Sequence, residues 1–70
     1  MEAEIGNAAG IIWHYLDQHG SSGLTAIKKH VNLPEPLVLM ALGWLAREGK
    51  VTFTRDGRTL LVTLRTNQAA

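Results

Sequence analysis

The chain has 70 residues, no cysteine, and seven Lys or Arg against six Asp or Glu, which gives a formal net charge of +1. A domain of this length buries only about three fifths of the surface that its unfolded chain exposes, so its stability is marginal without a further constraint. Disulfides and thiolate metal sites are excluded by the composition, which leaves oligomerisation as a means of adding stability. The nearly neutral charge provides little long-range attraction for a polyanion such as DNA.

The apolar runs and the first residues indicate a protein that is neither exported nor inserted in a membrane. No apolar run approaches the roughly 20 residues that cross a bilayer. The chain starts with Met1-Glu2-Ala3-Glu4, which is acidic where a secretory signal would be basic. We therefore expect one soluble, cytoplasmic domain over residues 1–70, with frayed ends at 1–3 and 66–70 and no membrane partner.

The first periodic segment predicts a helix from about Ala3 to His19, because its apolar residues recur at helical spacing. Gly20 follows it as a natural residue for ending a helix. Gly6 and Gly10 lie four residues apart inside this helix. Such a pair either marks a place where another backbone comes close or is simply tolerated, at roughly 1 kcal/mol per glycine.

A second, shorter helix is predicted over about 23–31, with Ser21 or Ser22 placed to cap its first turn. A short extra strand near Ser21 is an open alternative for part of this segment. Positive charge in the last turn of a helix is favoured by the helix dipole. The residues in that position are Lys28, Lys29 and His30.

The third helix is the organising element of the chain and is predicted within the run from Leu33 to Lys50. Pro34 and Pro36 suit a first helical turn, and Gly49 suits the position after the last turn. At 100° per residue, one face is typical of packing against the other helices and carries Val38, Ala41, Leu42 and Leu45. The remaining face is also mostly apolar and carries Pro36, Leu39, Met40, Gly43, Trp44 and Arg47.

After Gly49 the periodicity changes from helical to alternating, which predicts a β-hairpin of strands Val51–Arg55 and Arg58–Leu64. Asp56-Gly57 is a strong signal for a two-residue turn between them. That turn predicts the cross-strand pairs Arg55–Arg58, Phe53–Leu60 and Val51–Val62. The same register puts one apolar face over the helices, formed by Val51, Phe53, Leu60, Val62 and Leu64.

The order of helix, short helix, turn, longer helix and hairpin resembles a winged helix-turn-helix domain over nearly the whole chain. The most specific part is Ala41–Val51, which is similar to the end of the third helix and the start of the wing in many such domains. Within it, the sequence Leu-Gly-Trp-Leu-Ala-Arg-Glu-Gly-Lys resembles that of a narrower family of stand-alone bacterial and archaeal winged-helix proteins of unknown function. The resemblance implies an α+β fold of three helices followed by a two-stranded wing, and homodimers formed through the helix-turn-helix surface.

The residues of the third helix themselves disfavour a reader of DNA. A recognition helix needs Arg, Lys, Asn, Gln, Ser or Thr near its start, where this one has Pro, Glu, Leu and Met. We therefore expect a homodimer interface at Pro36, Leu39, Met40, Gly43, Trp44 and Arg47. Three alternatives stay open: the wing or the N-terminal segment covers this face, the face docks on another protein, or the protein is a DNA-binding regulator. The DNA-binding alternative would use Lys28, Lys29, Arg55 and Arg58.

The remaining candidate residues do not form a recognisable chemical motif. The aromatic residues are dispersed, as in a core or an interface rather than a stacking platform for nucleic acid: Trp13, Tyr15, Trp44 and Phe53. His14 and His19 are five residues apart, too far around a helix to share a metal, so surface histidines are expected. Ser21 and Ser22 have no recognisable base nearby. We expect no enzyme activity, metal, cofactor or small-molecule ligand.

Overall fold

A computed structural model describes residues 2–65. Its elements in chain order are α1 (Glu2–His19), β1 (Ser22–Gly23), α2 (Leu24–Val31), α3 (Glu35–Arg47), β2 (Val51–Asp56) and β3 (Thr59–Leu64). The predicted α+β order of three helices and a hairpin wing is confirmed, as is the extra strand near Ser21. Of the ends predicted to fray, Glu2 and Ala3 lie in α1, whereas Met1 and residues 66–70 lie outside the described residues.

The helix ends show how local sequence sets the element boundaries. Gly20 has a φ of 82°, and its N–H donates to the carbonyl of Leu16 at 2.7 Å. Gly49 has a φ of 72° after α3 and donates to the carbonyl of Ala46 at 3.0 Å. Both glycines occupy the left-handed conformation that ends many helices, which lets them satisfy carbonyls of the last turn.

The predicted serine cap of α2 is wrong. The residue before the helix is Gly23, which offers no side-chain cap. Ser22 lies in β1 instead, and its hydroxyl donates to the carbonyl of Gly20 at 3.0 Å. Because β1 pairs with β3, the serines are held by sheet contacts rather than at the start of the helix.

The three strands form an antiparallel sheet in the order β1-β3-β2. β1 is only two residues long, with Ser22 opposite Val62 and Gly23 opposite Leu61. It ties the connection between α1 and α2 to the inner edge of the wing. The hairpin is therefore anchored to the helices along β3, and β2 is the outer strand.

The predicted hairpin register is wrong by two residues. The pairs are Val51–Leu64, Phe53–Val62 and Arg55–Leu60, and Asp56 extends β2 by pairing with Thr59. The two turn residues are consequently Gly57 and Arg58, with a φ of 65° at Gly57. A glycine with positive φ in the first turn position suits the twist of a tight hairpin. Since side chains alternate with period two, a shift of two keeps every residue on its predicted face.

The core lies between the three helices and the inner face of the sheet. Its buried residues are Ala8, Ala9, Ile12, Leu16, Ile27, Val38, Ala41, Leu42, Leu45, Val51 and Val62. Phe53 shares the inward face of β2 with Val51 and lies opposite the fully buried Val62, yet 41% of the surface of Phe53 is exposed. Its predicted role in covering the helices is thus wrong. None of the helices within residues 2–65 has the length and apolarity required to span a membrane.

Candidate interaction surface

The face of α3 that points away from the core is exposed and largely apolar. The buried side of the helix carries Val38, Ala41, Leu42 and Leu45, as its periodicity predicts. The exposed fractions on the other side are 47% for Leu39, 40% for Met40 and 42% for Trp44. All six residues of the predicted interface are exposed: Pro36, Leu39, Met40, Gly43, Trp44 and Arg47. Within residues 2–65, neither the wing nor the start of α1 buries this face.

Two grooves lie on either side of Trp44 and extend this surface onto α1. One has a volume of about 500 Å³ and runs along Gly6, Gly10 and Trp13 of α1. The other has a volume of about 520 Å³ and lies between Ile5 of α1 and the stretch of α3 that contains Met40, Gly43 and Arg47. We call the exposed side of α3 together with these two grooves the α1–α3 face.

Glycines leave the grooves of the α1–α3 face open. A Cβ atom added at Gly6, Gly10 or Gly43 would meet nothing within 4 Å. These glycines are therefore not required by packing inside the chain, and each leaves room for atoms from outside it. Ile5 was not predicted as part of an interface, and Trp13 was predicted only in general terms as a core or interface residue, although the spacing of Gly6 and Gly10 was a signal for this side of α1.

The rim of the α1–α3 face carries charges of both signs. Arg47, Glu48 and Lys50 line the grooves and are exposed. None of these three residues forms an ion pair within residues 2–65. The salt bridge observed in that part of the chain joins Lys28 to Glu35. An apolar centre with a mixed polar rim is the usual anatomy of a protein–protein interface.

The residues of the DNA-binding alternative lie on two separate elements. Lys28 and Lys29 are in the last turn of α2, whereas Arg55 and Arg58 are exposed at the tip of the wing. The ammonium of Lys28 lies 3.3 Å from a carboxylate oxygen of Glu35, at the start of α3. This pair partly neutralises the helix-turn-helix side where a recognition helix would carry positive charge.

The serines considered as nucleophiles are engaged in hydrogen bonds that hold the fold. The hydroxyls of Ser21 and Thr63 lie 2.9 Å apart and link the loop before β1 to β3. Ser22 donates to a backbone carbonyl, so neither hydroxyl contacts a base. Among residues 2–65, no three His, Cys, Asp or Glu side chains are grouped so that they could hold a metal ion.

Comparisons with known proteins agree with this architecture. Residues 1–64 match the model of a family described as "Winged helix-turn-helix domain (DUF2582)". The chain is 35% identical over 68 residues to the uncharacterized protein MJ1608 of Methanocaldococcus jannaschii, and the alignment covers 93% of this chain and 96% of that protein. No solved structure matches the chain significantly. The predicted resemblance to a winged-helix family of unknown function is confirmed, and the chain belongs to the winged helix-turn-helix domain family DUF2582.

Proposed function

We propose that the protein is a non-catalytic winged-helix interaction module that forms a homodimer through the α1–α3 face. The observation that carries the proposal is the exposure of Leu39, Met40 and Trp44 on one side of a single helix. Apolar side chains concentrated in this way mark interaction sites on soluble proteins. Trp is enriched among the residues that dominate binding energy, and Met adapts to irregular partner surfaces.

A second copy of this chain fits the α1–α3 face because that face contains both exposed apolar side chains and open grooves. A two-fold interface brings the same patch together from both subunits, so the patch must complement itself. Trp44 and Met40 keep 42% and 40% of their surfaces exposed, while Gly6, Gly10 and Gly43 leave space open on the same face. A two-fold axis near Gly43 would set the indole of each subunit against a glycine-floored groove of the other.

The charges at the rim also favour a second copy. Arg47 and Lys50 are positive and Glu48 is negative, so a two-fold arrangement can set opposite charges against each other across the axis. Such pairs at a rim fix the orientation of the partners more than they add affinity. A polyanion would gain little from this rim, because Glu48 offsets part of the positive charge of Arg47 and Lys50.

The size of the molecule is compatible with a dimer and gives dimerisation a thermodynamic reason. A standard interface buries about 800 Å² per partner, which is about one sixth of the 4892 Å² surface of this chain. A chain of 70 residues has a small core, and burying a further apolar face adds stability that the monomer lacks. Dimerisation would also remove an exposed patch that favours aggregation.

Sedimentation equilibrium tests the proposed dimer. At micromolar concentration we expect a mass of about 15.4 kDa, twice the 7.7 kDa of one chain. The thermal midpoint should rise with protein concentration, because association stabilises only the folded state. A clean monomer over the same range would contradict the proposal.

DNA binding is the alternative function, favoured by the exposure of Arg55 and Arg58 at the tip of the wing. Under the dimer proposal, generic duplex DNA at low salt should produce no mobility shift, because few cations are available to displace counterions. The matched variant Arg55→Gln/Arg58→Gln provides the control. A shift that weakens steeply with salt and is lost in this variant would favour the DNA-binding regulator.

A further inference from the structure

Two histidines and a tyrosine meet where α1 and α2 end. The rings of Tyr15 and His19 stack with centroids 4.3 Å apart and planes inclined by 22°. His30 of α2 lies 5.1 Å from Tyr15 and 5.8 Å from His19, again between ring centroids. The two histidines are eleven residues apart in the chain, so the fold rather than a local spacing brings them together.

Hydrogen bonds to the backbone fix the orientation of both imidazoles. Nδ1 of His19 lies 3.0 Å from the carbonyl oxygen of Tyr15, and Nδ1 of His30 lies 3.1 Å from that of Ala26. Because a carbonyl oxygen can only accept, each Nδ1 carries the hydrogen and donates it. In the neutral ring, Nε2 then has its lone pair available. A metal-binding histidine is usually held in this way, with its other nitrogen donating to a carbonyl or carboxylate.

The separation of the two rings suits one metal ion held between them. An ion bonded to two imidazole nitrogens at about 2.0–2.1 Å has the ring centroids roughly 4.5–6.5 Å apart, the value rising with the angle between the two bonds. The observed separation between His19 and His30 is 5.8 Å. Tyr15 packs against both rings from α1 and thereby limits their rotation.

We propose that His19 and His30 form a two-imidazole site for a divalent transition-metal ion such as Zn²⁺, with water in the remaining coordination positions. Imidazole nitrogen suits Zn²⁺, Ni²⁺ and Cu²⁺, whereas Mg²⁺ and Ca²⁺ prefer oxygen. No third His, Cys, Asp or Glu joins the two histidines within the described part of the chain. The coordination sphere is therefore open to water, and a bound ion would link the C-terminal ends of α1 and α2.

Zn²⁺ titration of the whole chain, followed by calorimetry and by NMR of the imidazole nitrogens, tests this site. We expect one ion per chain, with the Nε2 signals of His19 and His30 shifting together. His19→Ala and His30→Ala should each weaken binding by about tenfold or more, because each removes one of the two ligands. Zn²⁺ should also raise the melting temperature of the wild type more than that of either variant.

His14→Ala is the matched control, since His14 is the remaining histidine of the chain and its ring lies edge-on to Trp13. This variant should bind Zn²⁺ as the wild type does. Equal affinity of the wild type and the single-histidine variants, or a shift confined to one imidazole, would overturn the site. The NMR measurement on the wild type decides this even where a variant folds poorly. The outcome is independent of the dimer proposal, which is tested by mass.

Discussion

Gly43→Lys is expected to convert the proposed dimer into a monomer. The substitution would insert a long cation beside Arg47, four residues on along the same helix face, and opposite its own copy across a two-fold axis. A buried charge without a partner costs about 3–5 kcal/mol, which corresponds to a dissociation constant raised by a factor of about 150 to 5,000. Lysine is the stronger choice because a glutamate at this position would pair with Arg47. Sedimentation equilibrium measures the change.

The same substitution should be harmless in an isolated chain, which makes the experiment informative. A Cβ at Gly43 meets nothing within 4 Å, and Gly43 lies inside α3 with no positive φ. Replacing glycine inside a helix gains up to about 1 kcal/mol from helix propensity. A monomeric wild type would therefore become more stable in Gly43→Lys, whereas a dimer would lose its association and its concentration-dependent stability.

Two matched variants separate the effect of charge from the effect of size. Asn7→Lys puts the same charge on an exposed position of α1 outside the two grooves and should leave the mass of the dimer unchanged. Gly43→Ala adds only a methyl group and should weaken the dimer if the backbones approach closely at this point. An undisturbed dimer in Gly43→Lys would exclude α3 from the interface. DNA affinity that rises in Gly43→Lys would favour the DNA-binding alternative.

The helices could be predicted because the sequence signals that define them are local. In α3 the periodicity of Val38, Ala41, Leu42 and Leu45 separates the buried side from the exposed side without knowledge of the partner elements. The prolines at its start and Gly49 after its end define the element from short-range signals alone. The same periodicity predicted the exposed apolar side of α3, because a helix that is apolar on all sides needs a second surface to cover it.

The details of the sheet were less predictable because several turns suit the same sequence. Asp56-Gly57 and Gly57-Arg58 both give a two-residue turn, and both keep Val51 and Val62 on the inward face, so the hydrophobic pattern cannot choose between them. The choice depends on where the positive φ of Gly57 falls in the turn. The exposure of Phe53 likewise depends on how the outer strand β2 is placed against the helices, which the alternating pattern does not encode.

Contacts between distant parts of the chain were beyond the sequence pattern. Ile5 and Trp13 border the grooves of the α1–α3 face only because of the way α1 crosses α3. His19 and His30 meet because two helices end at the same place, and no spacing within either helix encodes that meeting. The sequence pattern therefore predicted the α3 part of the α1–α3 face, left its α1 part open at Gly6 and Gly10, and did not predict the histidine pair.

Ile12→Ala is expected to remove a large part of the stability of the fold. Ile12 has no exposed surface and lies among the fully buried side chains of the core. Truncating a buried isoleucine costs about 2–5 kcal/mol, since the lost burial is accompanied by a cavity. A chain of 70 residues has a total stability of about 4–10 kcal/mol. Urea denaturation at a fixed protein concentration should therefore show a much lower midpoint.

The neighbouring residue provides a control of the same chemistry. Ile11 is 46% exposed on α1 and lines neither groove, so Ile11→Ala should change the free energy of unfolding by less than about 0.5 kcal/mol. Ile12→Val removes one methylene and should cost about 0.5–1.5 kcal/mol, which gives a graded value if Ile12→Ala is largely unfolded. Equal losses at positions 11 and 12 would mean that α1 is rotated relative to the core. Such a rotation would also take Gly6 and Gly10 away from α3, and with them the grooves on which the dimer proposal depends.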